Sequence, residues 1–376
     1  MTDLSILREQ IDEIDTQIVE LYQKRMEVCK EVAEYKIETG KKIFDKERED
    51  QKIKSLCSKA DNSFNRCGIE ELFLQIMAAS RKLQYQQLVK KGRIGRLPFI
   101  EQEELSKARP RIVFQGLEGA YSHIAMKRYF GEEISNFHVD TFRDAMVSIE
   151  EGAADFAVLP IENSSAGSVS EVYDLLTEFE NYIVGEQIIK IEHALLGVRG
   201  AELSDVKNVY AHPQALMQCG SFLNEHMDWQ QIGMRNNAVA ANKVKNDGEK
   251  SQAAIASTDA AEIYGLSILR EKINTNPNNS TRFIIVSNQK IFLKGAKKIS
   301  ISFEIAHKSG QLYKMLSHFI YNDLNMVKIE SRPIEDRDWE YRFFVDFEGN
   351  LTDGAVKNAL RGIRDEARNM KVLGNY

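Results

Sequence analysis

Several short runs in this chain carry polar groups at spacings that could do chemistry. One is Pro160-Ile161-Glu162-Asn163-Ser164-Ser165-Ala166-Gly167-Ser168, which follows the apolar run Phe156 to Leu159 and precedes an amphipathic run from Val169 to Phe179. The order predicts strand, loop and helix. A helix start leaves backbone N–H groups unpaired and carries a partial positive charge, so this loop suits a carboxylate or phosphate; Ser and Asn also serve there as ordinary caps. A second set is cationic: Arg8, Arg25, Lys36 and Arg48. Arg25 and Lys36 lie eleven residues apart. At about 100° per residue they return to within roughly 20° of one helix face and can line one groove. Arg8 would sit on a different face, roughly 25 Å from Arg25, so it could reach that groove only from a partner chain. Asp45, Arg48 and Glu49 share a face of a second helix, as Ser80 and Gln84 do on a third. Exposed ion pairs use the same spacings.

The elements that must position these groups fall into three segments. Residues 4 to 38 contain neither Gly nor Pro, and Ile11, Ile14, Ile18, Leu21, Val28 and Val32 recur at spacings of three, four or seven. One amphipathic helix is predicted, roughly 50 Å long, with an apolar face suited to a second chain. Gly40 ends it, and helices follow over 45–58 and 68–89. Residues 91–110 carry charges, two glycines and no apolar period, and read as a linker. From Arg111 onward, short β-rich runs (111–114, 156–159, 182–191, 253–256 and 283–286) alternate with helices, an α/β pattern with parallel sheets expected. Ligands in such sheets bind at the carboxyl ends of strands, where the polar loops lie. The last segment reads strand 299–305, helix 311–321, strands 326–334 and 341–347, helix 353–367 and strand 372–373, a ferredoxin-like βαββαβ order that often pairs with a copy of itself. The fold class is thus multidomain: all-α over 1–90, two-lobed α/β over 111–290, and α+β over 297–376.

With 376 residues there is ample chain for two or three cores, and a net charge of −6 argues against nucleic acid as the main partner. No apolar run approaches the roughly 20 residues of a membrane span, and the start of the chain is a charged helix, so the cytoplasm is the expected compartment. Cys29, Cys57, Cys67 and Cys219 are scattered, which predicts free thiols and no metal site. No cofactor is expected.

Leu7-Arg8-Glu9-Gln10-Ile11-Asp12, Lys24-Arg25, Lys36, Asp45-Lys46-Glu47-Arg48-Glu49 and Ser80-Arg81-Lys82-Leu83-Gln84 resemble, in order and spacing, the all-helical chorismate mutase family across residues 4 to 88. The resemblance implies that Lys36 and Gln84 address the ether oxygen of chorismate. It assigns Arg8 of a partner chain, Arg25 and Arg48 to the carboxylates, and Asp45 and Glu49 to the hydroxyl side, with Ser80 in the same site. The reaction is a pericyclic rearrangement to prephenate, so cations and amides suffice: they hold a compact dianion and stabilise charge on the breaking ether bond.

Gly116-Leu117-Glu118-Gly119-Ala120-Tyr121-Ser122-His123 lacks the features of a nucleotide loop. Together with 160–168, His212-Pro213-Gln214 and Asn279-Ser280-Thr281-Arg282-Phe283, it resembles the prephenate dehydratase family throughout residues 111 to 287; Leu117 stands where many relatives carry Pro. The resemblance implies Thr281 beside the leaving hydroxyl, Asn163, Ser164 and Gln214 positioning substrate, and Arg282 pairing a carboxylate, in a cleft between two lobes built like those of periplasmic binding proteins. His123 and His212 could serve as acids by their ordinary pKa or equally as structural hydrogen bonders, and neither is placed in the catalytic set. Finally, His307-Lys308-Ser309-Gly310-Gln311-Leu312 and Ile329-Glu330-Ser331-Arg332-Pro333 resemble the two signature loops of the phenylalanine-binding ACT domain, with Gln311 replacing the usual small residue. Gly310, Leu312, Glu330, Ser331, Arg332 and Pro333 are the implied effector contacts.

These resemblances together imply a bifunctional enzyme of phenylalanine biosynthesis that acts on chorismate and prephenate, takes L-phenylalanine as effector, and forms a homodimer or higher homo-oligomer. A ligand-binding regulator with the same lobes but no catalysis is the competing reading, and the intact Thr281 and complete mutase set argue against it. The residues leave open whether prephenate or its amino analogue arogenate is the second substrate.

Overall fold

A computed structural model describes residues 3–92, 98–105, 109–335 and 337–376. The first segment is three helices: α1 (Leu4–Thr39), α2 (Lys46–Cys57) and α3 (Ser63–Lys90). Asp3, Asp45 and Asn62 cap them through their side chains, and Gly40 takes the left-handed turn (φ 71°) that ends α1. The Asn62 cap starts α3 five residues before the predicted Gly68. Packing among them is modest: a small core of Ile37, Ile43, Tyr85 and Leu88 forms, while Ile11, Ile14, Ile18 and Leu21 on α1 stay more than half exposed.

Within the predicted linker, β1 (Ile100–Gln102) is a strand rather than coil; it pairs in parallel with Ile291–Leu293. Residues 93–97 and 106–108 of that linker lie outside the described residues. The α/β segment runs β2 (Arg111–Gln115), α4 (Tyr121–Phe130), β3 (Ser135–Val139), α5 (Phe142–Glu150), β4 (Phe156–Asn163), β5 (Gly167–Ser168), α6 (Ser170–Glu178) and β6 (Tyr182–Lys190). A second lobe follows: β7 (Ala194–Gly197), β8 (Asn208–Ala211), α7 (Pro213–Gln218), α8 (Gly220–Asn224), β9 (Gln230–Gly233), α9 (Asn237–Asp247), β10 (Gln252–Ala256), α10 (Thr258–Tyr264) and β11 (Ser267–Arg270). The chain returns to the first lobe with β12 (Ser280–Ser287) and β13 (Ile291–Leu293). The last segment is β14 (Lys298–Glu304), α11 (Gln311–Ile320), β15 (Met326–Pro333), β16 (Tyr341–Glu348), α12 (Gly354–Glu366) and β17 (Arg368–Asn375), in the expected βαββαβ order.

Two expectations are corrected here. The sheets are mixed rather than parallel: β12 runs antiparallel to β4 and β6, and β7 antiparallel to β10 and β11. A returning strand must enter the first lobe from the end where β6 leaves it, and this fixes the antiparallel direction. Second, the strand expected to stop at Leu159 continues through Asn163, because β12 pairs along it as far as Thr281↔Asn163, with a register shift that skips Ile161.

β11-β7-β10-β8-β9 form a sheet of their own, while one ten-stranded sheet runs β15-β16-β14-β17-β6-β12-β4-β2-β3, with β5 beside β4. The last segment and the first α/β lobe therefore share a sheet, and they also share a core, since Phe344 and Leu373 pack with Leu159, Tyr173 and Ile183. The join is the β17–β6 pair at Gly374↔Ile183. A Cβ on residue 374 would lie 2.0 Å from the Ile183 carbonyl oxygen, so only glycine allows the approach. Gly374→Ala is expected to destabilise the protein by roughly 1–3 kcal/mol through overpacking, read as a lowered thermal midpoint.

Candidate active sites

The helical segment encloses a cavity of about 490 Å³ lined by Arg25, Lys36, Asp45, Arg48, Glu49, Ser80 and Gln84, together with Arg81 and Lys52. Seven of the eight residues singled out from spacing meet here. Arg8 does not; it lies about one turn from the start of α1 on the exposed part of the helix. Their eleven-residue spacing puts Arg25 and Lys36 on one face of α1, and the α1 to α3 packing turns that face toward Ser80 and Gln84.

Arg25 Nη1 donates to Ser80 Oγ, which donates in turn to the Ile76 carbonyl at 2.8 Å. Lys36 Nζ donates to the Ile43 carbonyl at 2.6 Å. Burial pushes the Lys36 ammonium below its usual value, and Asp45 and Glu49 pull it partly back. Asp45 Oδ1 accepts the Arg48 N–H at 3.1 Å, so the α2 cap also fixes a cavity wall. Gln84 is 6% exposed and its Oε1 is buried without a hydrogen-bond partner, an amide free to turn toward a ligand. Cations outnumber carboxylates around the cavity, five to two, and this suits a small dianion. Sequence reasoning quoted Arg81 within a motif and assigned it no role; its only signal was its place next to Ser80.

A second cavity of about 290 Å³ lies between the two α/β lobes, lined by Ser165, Ala166, Gln214, Met217, Gln218, Asn274, Thr275, Asn276 and Asn279. Asn163 is the hub behind it. Its Nδ2 donates to Thr281 Oγ1 at 2.8 Å and to Asn279 Oδ1 at 2.9 Å, and its Oδ1 accepts the N–H groups of Ser165 and Ala166, each at 2.9 Å. Asn163 thus braces the hairpin turn, a different task from the helix cap considered from sequence. Ser164 Oγ accepts the Ser280 N–H at 2.9 Å. Thr281 is 8% exposed; as an acceptor it keeps its own hydroxyl proton to donate. Asn279 Nδ2 is buried and unpartnered. Asn274, Asn276, Asn279 and Gln218 were missed as site residues, although the asparagine-rich run 274–279 before Thr281 was a visible signal.

The structure does not bring Arg282 to this cluster. Alternation along β12 sends it to the face opposite Thr281, where its guanidinium meets Asp346 at 2.8 Å and Glu162 and Glu186 at 3.5 Å. Three carboxylates already neutralise it, so its expected pairing with a substrate carboxylate is withdrawn. His123 and His212 behave as structural groups. His123 Nδ1 accepts the Gly119 N–H at 3.1 Å, His212 Nδ1 accepts the Gln214 N–H at 3.3 Å, and burial lowers the pKa of both.

A third cavity, about 300 Å³, includes Gly310 and Leu312 with His307, Lys308, Trp339 and Tyr341. Glu330, Ser331, Arg332 and Pro333 are not part of it. They lie on the edge strand β15, where Glu330 accepts from Ser168 Oγ at 2.6 Å and Arg332 pairs with Asp174 at 2.8 Å. Among the described residues, no helix is long and apolar enough to cross a membrane.

The two segments that hold the first two cavities match two known families. The chorismate mutase type II family model covers residues 7–85 and the prephenate dehydratase model residues 112–291, so the chain is a mutase domain fused to a dehydratase domain. It belongs to the bifunctional chorismate mutase/prephenate dehydratase family: the protein of that name from Buchnera aphidicola subsp. Acyrthosiphon pisum is 34% identical, covering 99% of this chain and 96% of that one. The prephenate dehydratase of Arthrobacter aurescens, solved in complex with L-Phe, is 30% identical with a TM-score of 0.66 over 71% of this chain and 89% of its own. A structure described as GqqA, a novel type of quorum quenching acylases, is 32% identical with a TM-score of 0.65 over 71% of this chain and 97% of its own.

Proposed function

We propose that this chain rearranges chorismate to prephenate in the helical cavity, converts prephenate to phenylpyruvate between the two α/β lobes, and is restrained by L-phenylalanine at its C-terminal segment. The observation that carries the reading is the convergence of Arg25, Lys36, Asp45, Arg48, Glu49, Ser80 and Gln84 on one cavity. Lys36 and Gln84 donate to the ether oxygen as the C–O bond breaks, Arg25 and Arg48 hold the carboxylates, and Asp45 and Glu49 take the ring hydroxyl. No nucleophile is required, since orientation and charge stabilisation lower the barrier. Arg8 completes the site from a second copy, and the exposed apolar stripe of α1 supplies the surface for a homodimer.

In the dehydratase site, ring aromatisation drives loss of carbon dioxide and hydroxide together. The site adds a donor at the departing hydroxyl, Thr281, set by Asn163, while Ser164 and Gln214 orient the substrate. The domain scheme is 1–90 mutase, 91–110 connector, 111–290 dehydratase and 297–376 ACT-type sensor with a ferredoxin-like fold. Gly310 and Leu312 face one cavity and Glu330 to Pro333 lie on an edge strand apart from it. That separation suits an effector site made by two copies side by side, in a cytoplasmic enzyme.

The test is purified full-length protein given chorismate, with chorismate loss and phenylpyruvate formation followed separately, with and without L-phenylalanine. Phenylpyruvate that falls on adding phenylalanine supports all three assignments. Prephenate accumulating alone refutes the prephenate dehydratase assignment and leaves a domain that is inactive or takes arogenate, and unchanged chorismate refutes the mutase. Because Gln84 is a neutral amide, the mutase step is expected to be insensitive to this group over pH 5–9. Gln84→Glu donates only while protonated, so its kcat/KM is expected to fall as pH rises through the new carboxyl's pKa, by roughly 10²-fold at alkaline pH.

A further inference from the structure

The mutase cavity is not built from the three helices alone. Arg81, 8% exposed, directs Nη1 to Glu49 and Nη2 to Glu366 Oε1 at 2.7 Å. Glu366 is the last residue of α12, and the same Oε1 meets His318 Nε2 of α11 at 3.2 Å. The Arg81 guanidinium also lies 4.9 Å from the centroid of the Phe44 ring. Its neighbours on α3 dock the same surface. Lys82 Nζ donates to Ser317 O at 3.1 Å and sits 3.3 Å from the Tyr321 ring centroid, and Tyr85 OH donates to Asp365. A planar guanidinium can bridge two carboxylates with both held in plane, a task a point-charge ammonium does poorly.

We propose that Arg81 is a positioning residue for the chorismate rearrangement, holding Glu49 in the cavity through a fork anchored by Glu366 of the C-terminal segment. The inference rests on the reading of this cavity as the mutase site. Glu49 has a useful role only if its carboxylate stays on the hydroxyl side of the substrate. Without Arg81, the cations left for it in the cavity wall are Arg25, Lys36, Arg48 and Lys52. Pairing with them would withdraw the charges meant for the dianion. Glu366 in turn stops Arg81 from swinging into the cavity and competing for a substrate carboxylate. The mutase site is therefore finished by α12, and its affinity for chorismate depends on the seating of the C-terminal segment against α3.

The test is steady-state mutase and dehydratase kinetics on the full chain carrying Arg81→Met, Glu366→Gln or both. The wild-type chorismate assay comes first, and separates failure of the mutase reading from failure of this inference. The expected result is a rise in KM for chorismate of about tenfold for Arg81→Met and several-fold for Glu366→Gln, with the double variant no worse than Arg81→Met alone. Dehydratase turnover of added prephenate stays within twofold in each, which shows that the chain is folded. Mutase constants unchanged in Glu366→Gln, or losses that multiply in the double variant, would overturn the proposal. If Arg81→Met loses both activities, Arg81→Lys replaces it: a selective rise in KM supports the fork, and wild-type constants refute it.

Discussion

Lys36→Ala is expected to lower chorismate turnover by roughly 10³-fold or more while phenylpyruvate formation from added prephenate is unchanged. Lys36 is half-buried, held toward the cavity by the Ile43 carbonyl, and it is the cation assigned to the ether oxygen. In a rearrangement that forms no covalent bond to the enzyme, a preorganised donor at the atom that gains charge is the largest single contribution the protein makes. The carboxylate clamps Arg25 and Arg48 remain in the variant, so the loss should appear in kcat more than in KM. Equal activity in the variant would refute the assignment of Lys36, and loss of both activities would point to misfolding.

The complementary variant, Thr281→Ala, is expected to reduce prephenate turnover by roughly 10²–10³-fold with chorismate loss unaffected. The alanine fits the same strand position, and Asn163 keeps its bonds to Asn279 and the Ser280 carbonyl, so the hairpin turn should survive. Thr281→Ser restores the hydroxyl without the methyl and should recover much of the rate. A Ser variant as poor as Ala would show that packing by the methyl, rather than the hydroxyl, carries the effect. The measurement is phenylpyruvate formation from purified prephenate, with chorismate loss measured on the same sample.

Much of this was legible in the sequence because helical periodicity is a strong signal. Arg25, Lys36, Ser80 and Gln84 sit on predicted faces, and those faces meet. Boundaries in the βαββαβ segment also followed from alternation, although β17 runs from Arg368 to Asn375 rather than over two residues. What failed was information carried by distant partners. Residues 160–163 read as loop because their strand character depends on β12, supplied more than a hundred positions later. Arg282 read as a substrate ligand because nothing in its neighbourhood named Asp346, Glu162 and Glu186 as its partners. Likewise β1 has no strand signal until Ile291–Leu293 lies beside it. Arg8 was placed away from Arg25 by the helix rise alone, and the structure keeps it there.

The second lobe lies wholly between β6 and β12, and its two ends are pinned together. Asn274 Oδ1 accepts the His193 N–H at 2.6 Å, Asn274 Nδ2 donates to the Ile191 carbonyl at 3.1 Å, and the Ile191 N–H donates to the Asn279 carbonyl at 2.8 Å. During folding, β6 and β12 must find each other across a long stretch of chain, a closure whose entropy is unfavourable in proportion to the logarithm of its length. A lobe with its own core, such as Leu195, Val209, Ala253 and Ile255, can form first and deliver its ends side by side. The slow search for the central pair of the larger sheet then becomes a short zippering step from Ser280↔Lys190. Asn274 thus ties the two ends of the second lobe together as well as lining the cleft.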